Sequence, residues 1–564
     1  MPTLEELALK HALKNASEHE GRAQAGAVIG RVIAELPEAK ADMATTGKTV
    51  AKVVANVNKM GAELQAAEMA RFEYPEKVEV KKKLELPGCE MGKVVTRFPP
   101  GPNGWPHIGH AKAAWLGRQF ADDWNGKCLL VMDETNPLVD EAQYDEAIKR
   151  DLAWLGLKFD AQLYISDRMA EIYSRGEQLL RQGDAYVCTC PRETIKANRL
   201  SGTECACRRR SKDENLELWK KMLAGGFEKG DVFVRFRGDM KCENTVMRDP
   251  ALFRVIKKPH YRHGTKYVMW PDYDMSIVVN DYANHITHAL RSKEYELRDE
   301  LYYALFDKLG LPRTHMYGFS RLNLQGVKMG KRFIRPLVET GKLWGWDDPR
   351  LPTIAALRRR GIRPEAIKTF VLSFGLSKVE SSPTWENLFA ENRKVLDPVA
   401  KRYFFVPQPV GLTVKGAPAK TAVLALHPEK PEAGSRKIAT GGQFYIAAED
   451  AKKLRKGALI RLKDLYNVRI TKGGKALEGE FAGDEVLREH ILQWVTPESL
   501  RVKLWMPGEL YKGEQFNEDS MGCVEGLAEQ GVEDLKEGNV VQFVRVGFAR
   551  LDSKSKLEFI LAHR

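Results

Sequence analysis

A proline- and glycine-rich turn between a strand and a helix constrains this chain more than any other feature. Residues 93–98 are typical of a short strand, and the sequence PPGPNG at 99–104 must turn. Helical spacing then predicts a helix from about His110, and the apolar run at 128–132 is typical of a second, buried strand. A second helix is predicted over about 141–155. This alternation of strand and helix predicts a parallel, doubly wound sheet.

The junction between the first strand and the first helix has the chemistry of a phosphate site. Free backbone N–H groups and the dipole at a helix N-terminus favour an anion. Gly109 allows a flat base or ribose to approach the backbone without a Cβ in the way. His107 and His110, three residues apart, can both donate hydrogen bonds to phosphoryl oxygens as charge moves between them.

A second basic element, VKMGKR at residues 327–332, suits a mobile loop that closes on a triphosphate. Its lysines, Lys328 and Lys331, would act as point charges that neutralise the leaving pyrophosphate. Short basic runs are usually solvated loops, so this element indicates a nucleotide site only in combination with the strand–helix junction.

Together these motifs resemble a known family. The stretch TRFPPGPNGWPHIGHAK at 96–112 closely resembles the HIGH-motif region of class I aminoacyl-tRNA synthetases, and within them the glutamyl/glutaminyl branch. KMGKR at 328–332 resembles the KMSKS loop of that class, with Gly330 in place of the usual serine. Gly101 stands where many glutaminyl enzymes carry glutamate. Further matching motifs are MDETNP at 132–137, YD at 273–274, WDDPR at 346–350, LRRRG at 357–361 and RKVLDPVAKRY at 393–403.

The resemblance covers roughly residues 90–550 and implies a reaction. An amino acid is activated by ATP, with Mg²⁺ on the triphosphate, to an aminoacyl-adenylate, and is then transferred to the terminal ribose of tRNA. The implied ATP-binding residues are Pro99, Gly101, His107, Gly109, His110, Lys328, Met329 and Lys331. Four of them would be catalytic through charge stabilisation, namely His107, His110, Lys328 and Lys331. The implied amino-acid pocket consists of Arg97, Asp133, Tyr273 and Arg291, with Asp133 accepting a hydrogen bond from the substrate α-amino group.

Arg291 favours L-glutamate over glutamine as the substrate. By the resemblance, it stands where glutamyl enzymes hold the side-chain carboxylate, and glutaminyl relatives tend to have a small neutral residue there. A carboxylate that leaves water needs a compensating partner, and the planar arginine fork supplies one. A neutral amide opposite Arg291 would leave a charge poorly paired, at a cost of about 2–3 kcal/mol or more. The expected reaction is therefore glutamyl-tRNA formation.

Four of the eight cysteines form two C-x-C pairs, namely Cys188, Cys190, Cys205 and Cys207. Four thiolates can hold a tetrahedral Zn²⁺ of the structural type, because they leave no open position for catalysis. Relatives in this branch sometimes carry a cysteine-based zinc site in the inserted domain. The alternative is four reduced cysteines in a loop, since C-x-C is tighter than the commoner C-x₂-C spacing.

The net charge of +13 favours a polyanionic partner, and nucleic acid before a membrane. With the resemblance, that partner is glutamate tRNA, and glutamine tRNA stays open as a second substrate. The candidate tRNA-binding residues are two arginine triplets, Arg208, Arg209 and Arg210, and Arg358, Arg359 and Arg360. Aromatic residues that could stack on anticodon bases, each also a candidate core residue, are Tyr403, Phe404, Phe405 and Trp494.

The sequence predicts an α/β multidomain chain with a Rossmann-type doubly wound catalytic domain. Its predicted parts are an N-terminal helical extension at 1–90, a catalytic domain at 91–167 and 273–335, an inserted α/β acceptor-stem-binding domain at 168–272, a helical connector at 336–395, and C-terminal β-barrels for anticodon binding at 396–564. In the extension, Thr3-x-x-Glu6 predicts a capping box, and one helix is predicted over about 47–71. The sheet rhythm is expected to return at 275–279. An N-terminal extension joined to barrels resembles the archaeal and eukaryotic type of glutamyl enzyme.

Three other functions compete with this interpretation. They are a glutaminyl-tRNA synthetase of the same fold, a non-catalytic tRNA-binding scaffold, and a small HIGH-type nucleotidyltransferase. Arg291 argues against the first, the intact histidines and lysines against the second, and the long C-terminal part against the third. No apolar run approaches about 18 residues, and the N-terminus lacks a secretory layout, so a cytoplasmic protein without a membrane span is expected. Monomers are usual for this branch.

Overall fold

The computed structural model describes residues 3–18, 21–72, 74, 85–328, 330–474 and 476–564. The chain separates into two compact units, Met1–Lys83 and Leu84–Arg564. Within the described ranges, none of the helices combines the length and the apolar character needed to cross a bilayer.

The N-terminal unit is helical, as predicted. Its helices are α1 (Leu4–Glu18), α2 (Ala25–Glu35), α3 (Met43–Val57) and α4 (Ala62–Met69). The capping box is confirmed: the Thr3 amide donates to the Glu6 carboxylate at 2.8 Å, and the Glu6 amide donates to Thr3 Oγ1 at 3.3 Å. The prediction of one helix over 47–71 is wrong. Gly61 has extended backbone angles and separates α3 from α4.

The second unit begins with alternating strands and helices. In chain order its elements as far as residue 319 are β1 (Val95–Phe98), α5 (Ile108–Asp123), β2 (Lys127–Met132), α6 (Ala142–Trp154), β3 (Ala161–Tyr164), α7 (Met169–Gln182), β4 (Ala185–Cys188), α8 (Arg192–Ser201), α9 (Lys212–Leu223), β5 (Phe233–Phe236), β6 (Ala251–Val255), β7 (Met269–Pro271), α10 (Tyr273–Ala283), β8 (His288–Ser292), α11 (Asp299–Leu309) and β9 (His315–Phe319).

The predicted doubly wound arrangement is confirmed. Strands β1, β2 and β3 pair in parallel, and so do β8 and β9. The Thr287 amide donates to the Val95 carbonyl at 2.9 Å, which links the two sheets edge to edge. The resulting order is β3-β2-β1-β8-β9, and the chain changes direction across the sheet between β1 and β8. A crevice at the carboxyl ends of the strands is expected at this point.

One strand prediction in this region is wrong. Residues 275–279 lie in the helix α10 and not in a strand. All of them are buried, and an apolar run that is buried on every side carries no periodicity that could separate helix from strand. The sheet continues instead at β8.

An antiparallel sheet interrupts the parallel one. Its order is β4-β5-β6-β7, and α7 and α9 pack against it. Trp219 of α9 and Phe253 of β6 share one hydrophobic core with Val131 of β2 and Val278 of α10. The insertion is therefore continuous with the parallel sheet in its packing.

Helices follow the last parallel strand. They are α12 (Lys331–Glu339), α13 (Ile354–Arg360), α14 (Pro364–Leu372) and α15 (Trp385–Leu396). Residues 340–353, between α12 and α13, are not helical. Ile354 of α13 and Phe370 of α14 share one hydrophobic core with Trp115 of α5, so the helices are joined to the parallel sheet through this core.

The C-terminal part is built of strands, as predicted. Its elements are β10 (Arg402–Tyr403), β11 (Phe405–Pro407), β12 (Pro409–Lys415), β13 (Lys420–Ala425), β14 (Ser435–Thr440), β15 (Gln443–Ala447), α16 (Ala448–Ala451), β16 (Leu459–Leu462), β17 (Asn467–Lys472), β18 (Leu477–Phe481), β19 (Ile491–Leu492), β20 (Leu500–Pro507), β21 (Tyr511–Lys512), β22 (Gln515–Phe516), β23 (Met521–Ala528), β24 (Val540–Phe543), β25 (Gly547–Ser553) and β26 (Glu558–His563).

These strands form two curved, barrel-like sheets. One has the order β15-β12-β18-β17-β16-β19, and the other has the order β10-β24-β25-β26-β20-β23-β11. Phe404 alone joins β10 to β11, the two edge strands of the second sheet. The two edges of this sheet are therefore brought together. Tyr403 pairs with Phe543 and Phe405 pairs with Ala528, so the first sheet lies within the sequence of the second.

Candidate active site

A cleft of about 390 Å³ opens where the order of the parallel strands reverses. The turn after β1, the first turn of α5 and the ends of β8 and β9 line it. The sequence-predicted residues that it brings together are Arg97, Pro99, Gly101, His107, Gly109, His110, Tyr273 and Arg291. These nucleotide and amino-acid candidates therefore share one cavity, whose described lining does not include Asp133.

The two histidines begin α5 as a reciprocal cap. The Gly109 amide donates to His107 Nδ1 at 3.1 Å, and the His107 amide donates to His110 Nδ1 at 3.2 Å. Burial lowers the pKa of His107 well below its ordinary value and that of His110 to about 4, so both rings are neutral near pH 7. A neutral imidazole that accepts at Nδ1 carries its proton on Nε2. Each ring is thus prepared to donate one hydrogen bond.

Gly109 is required by the ring of His107. A Cβ at this position would lie 2.9 Å from His107 Cε1, which is closer than carbon atoms approach without displacement. The ring centroids of His107 and His110 are 3.9 Å apart. The glycine therefore allows both imidazoles to occupy the same mouth.

Arg97 lies in β1 and is fully buried. Its Nε and Nη2 each donate to the carboxylate of Asp281 on α10, both at 2.9 Å. Tyr302 donates to the same carboxylate at 2.8 Å. Among the described residues, Arg97 Nη1 has no hydrogen-bond partner. A buried guanidinium nitrogen without a partner suits an anionic ligand.

Arg291, at the end of β8, is held in a similar way. Its Nη2 donates to Asp299, the first residue of α11, while the described residues give no hydrogen-bond partner to Nε and Nη1. Burial alone would lower the pKa of Arg291, but Tyr273 and Asp299 raise it, so the group stays charged. The rings of Tyr295 and Tyr302 lie 5.9 Å and 5.6 Å from its Cζ.

Asp133 directly follows β2, at the carboxyl end of the sheet. Its amide donates to the Pro100 carbonyl at 3.0 Å, and Thr135 Oγ1 donates to its carboxylate at 3.1 Å. Burial raises the pKa of Asp133 to about 6, although the charges of Arg254 and Arg97 oppose the shift. A bound ammonium group would favour its ionised form.

The neighbouring Glu134 is fully buried and was not predicted as a site residue. It accepts hydrogen bonds from the Ser166 amide at 3.2 Å and from Arg262 Nη1 at 3.0 Å. Burial raises the pKa of Glu134 to about 7. Since Arg262 lies in the loop between β6 and β7, this pair connects the insertion to the strand end that carries Asp133.

The cleft residues that the sequence analysis did not predict include Lys112, Glu294, Ser320 and Arg321. Glu294 and Arg321 form an ion pair of 2.8 Å. Lys112 follows the second histidine and shares the buried face of α5 with Ile108, Ala111 and Trp115. A lysine in phase with apolar residues was a sequence signal that could have identified it.

Lys328, the described lysine of the KMSKS-like loop, does not line this cleft. Lys328 pairs instead with the carboxylate of Glu514, between β21 and β22, and donates to the Glu514 carbonyl at 3.1 Å. Its Nζ also lies 5.1 Å from the ring centroid of Tyr511. Met329 and the Lys331 side chain lie outside the described residues.

The sequence matches three family profiles. Residues 93–398 match the catalytic domain of the class I tRNA synthetases (E and Q). The chain belongs to this family. Residues 400–483 and 491–552 match two anticodon-binding domains of the same class.

Curated relatives agree over the whole length. A protein named glutamate–tRNA ligase from Nitrosopumilus maritimus is 42% identical over 98% of both chains. The protein of the same name from Pyrococcus abyssi is 38% identical over 100% of both chains.

In this class I synthetase, the four predicted metal ligands come together at the end of β4. Their ligand atoms all lie within 4.8 Å of one another. Cys188 Sγ is 3.9 Å from Cys205 Sγ, and Cys190 Sγ is 3.7 Å from Cys207 Sγ. Zinc–sulfur bonds of about 2.3 Å in a tetrahedron require sulfur atoms about 3.8 Å apart. The residues present therefore fit a tetrahedral Zn²⁺.

The three arginines of the first triplet differ in their solvent exposure. Arg208 donates to Asp249 at 2.5 Å, and Arg210 donates to the Val187 carbonyl at 2.6 Å. Arg209 is exposed. Arg208 and Arg210 therefore brace the cysteine cluster, and only Arg209 presents its charge freely to solvent.

The three arginines of the second triplet also differ in their solvent exposure. Arg358 and Arg359 are partly exposed and lie near Asp151 and Asp552. Arg360 is buried and donates to three carbonyls, those of Pro349, Pro507 and Ala562. Burial lowers the pKa of Arg360 to about 9. Arg360 joins α13 to the second barrel and is not placed for a phosphate contact.

The aromatic residues suggested for base stacking are also buried. Tyr403, Phe404, Phe405 and Trp494 are each exposed by 4% or less. They fill the cores of the two barrels, and Trp494 donates to the Lys463 carbonyl at 3.0 Å. Their alternative interpretation as core residues is therefore the correct one.

Proposed function

We propose that this synthetase joins L-glutamate to tRNA through a glutamyl-adenylate, using ATP with Mg²⁺. The observation that carries the choice of glutamate is the pair of buried guanidinium groups, Arg97 and Arg291, with unpartnered nitrogens at one cleft. Two such groups favour a substrate that brings a carboxylate for its side chain. The name glutamate–tRNA ligase, carried by relatives over the whole chain length, supports the same reaction.

The cleft supplies the contacts that glutamate needs. We assign its side-chain carboxylate to Arg291 and Arg97, with Tyr273 lining the pocket between them. The α-ammonium group is assigned to Asp133 at the end of β2. Because both arginines are fixed by their own aspartates, little side-chain entropy is lost when substrate binds.

The adenylation step rests on positioning and electrostatics. The α-carboxylate of glutamate attacks the α-phosphorus of ATP, and pyrophosphate leaves. His107 and His110 donate from Nε2 to the phosphate oxygens, where negative charge develops. Pro99, Gly101 and Gly109 supply the turn on which the nucleotide lies. The loop lysines Lys328 and Lys331 would neutralise the departing charge, and Mg²⁺ on the triphosphate would supply further positive charge when bound.

The tRNA contacts are assigned to charged surfaces on separate parts of the chain. Arg209 of the insertion would meet the acceptor end, and Arg358 and Arg359 of the connector would meet the inner arm. A groove of about 800 Å³ lies between the two anticodon-binding domains, along residues 436–443 and 529–534. We assign the anticodon loop to this groove.

We assign Zn²⁺ to Cys188, Cys190, Cys205 and Cys207. When bound, the ion would cross-link β4 to the segment that carries Arg209. Four thiolates leave no open coordination position, so the role is structural. Arg208 and Arg210 hold this segment in place through their inward contacts.

The test is ATP–pyrophosphate exchange with glutamate and with glutamine, measured in the presence of tRNA. We expect exchange with glutamate and at least 100-fold less with glutamine, because an amide leaves Arg291 unpaired. Preferential exchange with glutamine would establish the glutaminyl alternative. Absence of exchange with either amino acid, in a chain that still binds tRNA, would establish the scaffold alternative.

A further inference from the structure

Lys112 is an unusual residue for the floor of a cleft. Its side chain is 1% exposed, and its Nζ donates to the carbonyl of Ser320 at 2.8 Å and to Ser320 Oγ at 3.3 Å. The described part of the chain places no carboxylate in an ion pair with it. Lysine is almost never fully buried without an anionic partner, so this charge requires a reason.

Two aromatic rings offset this charge only in part, through cation–π contacts. The Nζ lies 5.5 Å from the ring centroid of Phe319 and 5.7 Å from that of Phe374. These aromatic faces and the helix face that carries Lys112 would accept an apolar side chain of similar length. Methionine at this position would fill the space without desolvating a charge.

The other cations that line the cleft already have acidic partners. The pairs are Arg97 with Asp281, Arg291 with Asp299, and Arg321 with Glu294. His107 and His110 are neutral because burial lowers the pKa of both rings. Lys112 is thus the cation of the described cleft lining that has no carboxylate partner.

The contact with Lys112 makes the Ser320 hydroxyl group a directed hydrogen-bond donor. It follows β9, lines the cleft, and its amide is fixed by the Ser377 carbonyl at 2.8 Å. Because Lys112 donates to Ser320 Oγ, the hydroxyl proton of Ser320 is free to point away from the lysine. A hydroxyl polarised by an ammonium group is a strong donor to an anionic oxygen.

We propose that Lys112 is a positioning residue for ATP, which orients the Ser320 hydroxyl toward the nucleotide phosphates and supplies the positive charge behind it. This inference rests on the proposed function, since ATP is the anion assigned to the cleft. It adds a second phosphate-directed group to the cavity that the histidine pair also lines. It also joins the helix that carries the HIGH-like motif to the segment that leads into the KMSKS-like loop.

Proton uptake distinguishes this role from simple packing. Burial lowers the pKa of Lys112 to about 8, and a phosphate nearby would raise it again. At pH 8 the cleft histidines are neutral, and the other charged lining residues, three arginines and Glu294, are of types that do not titrate there. Binding of MgATP at pH 8 should therefore take up about half a proton per site.

The experiment is calorimetric titration of the full chain with MgATP at pH 8.0, in two buffers of different ionisation enthalpy. The variants are Lys112→Met and Ser320→Ala. The matched control is Lys368→Met. Lys368 Nζ lies 4.3 Å from the ring centroid of Trp115, which is on the same helix as Lys112, but Lys368 is not part of the described cleft lining. Circular dichroism and thermal unfolding establish that each variant is folded.

We expect Lys112→Met to raise the Kd for MgATP at least tenfold and to abolish proton uptake. Ser320→Ala should raise the Kd about threefold and keep the uptake, and Lys368→Met should match the wild type. Wild-type uptake that persists in a folded Lys112→Met variant, or a Kd equal to that of Lys368→Met, would overturn the inference. If Lys112→Met does not fold, an unchanged Kd in Ser320→Ala would overturn it. A wild-type chain that does not bind MgATP would instead refute the proposed function.

Discussion

The ammonium group of Lys328 is paired with the carboxylate of Glu514, a residue that lies 186 positions later in the second anticodon-binding domain. The Tyr511 amide also donates to the Gly326 carbonyl at 3.1 Å, so the same hairpin fixes the start of the KMSKS-like loop. The loop that should serve ATP is therefore held by the part of the chain assigned to the anticodon.

Glu514→Gln should release Lys328 toward the triphosphate. An exposed ion pair contributes about 0.2–1 kcal/mol, so we expect the KM for ATP in pyrophosphate exchange to fall by at most about fivefold. The matched control is Glu518→Gln, because Glu518 pairs with Lys342 near the same hairpin. Equal kinetics for the two variants would mean that the Glu514 contact does not restrain the loop.

Arg291→Gln should change the amino-acid preference of the synthetase. Loss of the charged partner leaves a desolvated carboxylate, at about 2–3 kcal/mol or more, so the KM for glutamate should rise about 30- to 150-fold. The KM for glutamine should rise much less. Arg313→Gln removes an exposed arginine paired with Asp307 and serves as the control. A glutamate-to-glutamine ratio of kcat/KM that stays at the wild-type value would place the side-chain carboxylate elsewhere.

Protein purified without added zinc should contain one equivalent of the metal. We expect Cys190→Ser to reduce the content well below one equivalent and to lower the thermal unfolding temperature, because the cross-link between β4 and the following segment is lost. Cys242→Ser, at a partly buried cysteine outside the cluster, should leave both quantities unchanged. A metal-free protein with an unaltered unfolding temperature would contradict the assignment.

Glu134 should make stability depend on pH. Burial raises its pKa to about 7 in the folded chain, whereas the unfolded value is about 4.3. The protonated Glu134 therefore stabilises the folded chain below the unfolded pKa, and this stabilisation is lost as the pH rises through 7. The free energy of unfolding of Glu134→Gln, relative to that of wild type, should therefore increase by up to about 3 kcal/mol as the pH rises from 4.5 to 8.

Urea unfolding at several pH values measures this difference. Glu228→Gln is the control, because Glu228 is an exposed residue paired with Lys257. A difference between Glu134→Gln and wild type that does not vary with pH would show that Glu134 stays ionised in the folded chain.

Local patterns were enough to predict the region around the first histidine. The turn at 99–104, the strand before it and the helix after it all follow from residue type and spacing over a few positions. The resemblance then identified the arginines of the cleft. Asp281 and Asp299 were not predicted as their partners, because each lies on a helix whose position depends on the packed sheet.

Burial was the property that sequence could not supply. The run at 275–279 is enclosed on all sides, so its spacing could not separate helix from strand. Arg360 turns inward because backbone carbonyls surround it. Lys328 carries a familiar motif, yet its partner comes from a different domain. Such long-range contacts cannot be predicted from the spacing of residues that are neighbours in the sequence.

The pairing of Tyr403 with Phe543 has a consequence for synthesis on the ribosome. Residues 409–492 can close the first barrel as soon as they emerge, whereas β10 and β11 must wait for partners more than 100 residues later. At typical rates of translation this interval is on the order of ten seconds. During that time two short strand edges stay unpaired next to a finished barrel, so the second barrel can close only after its last strands have been made.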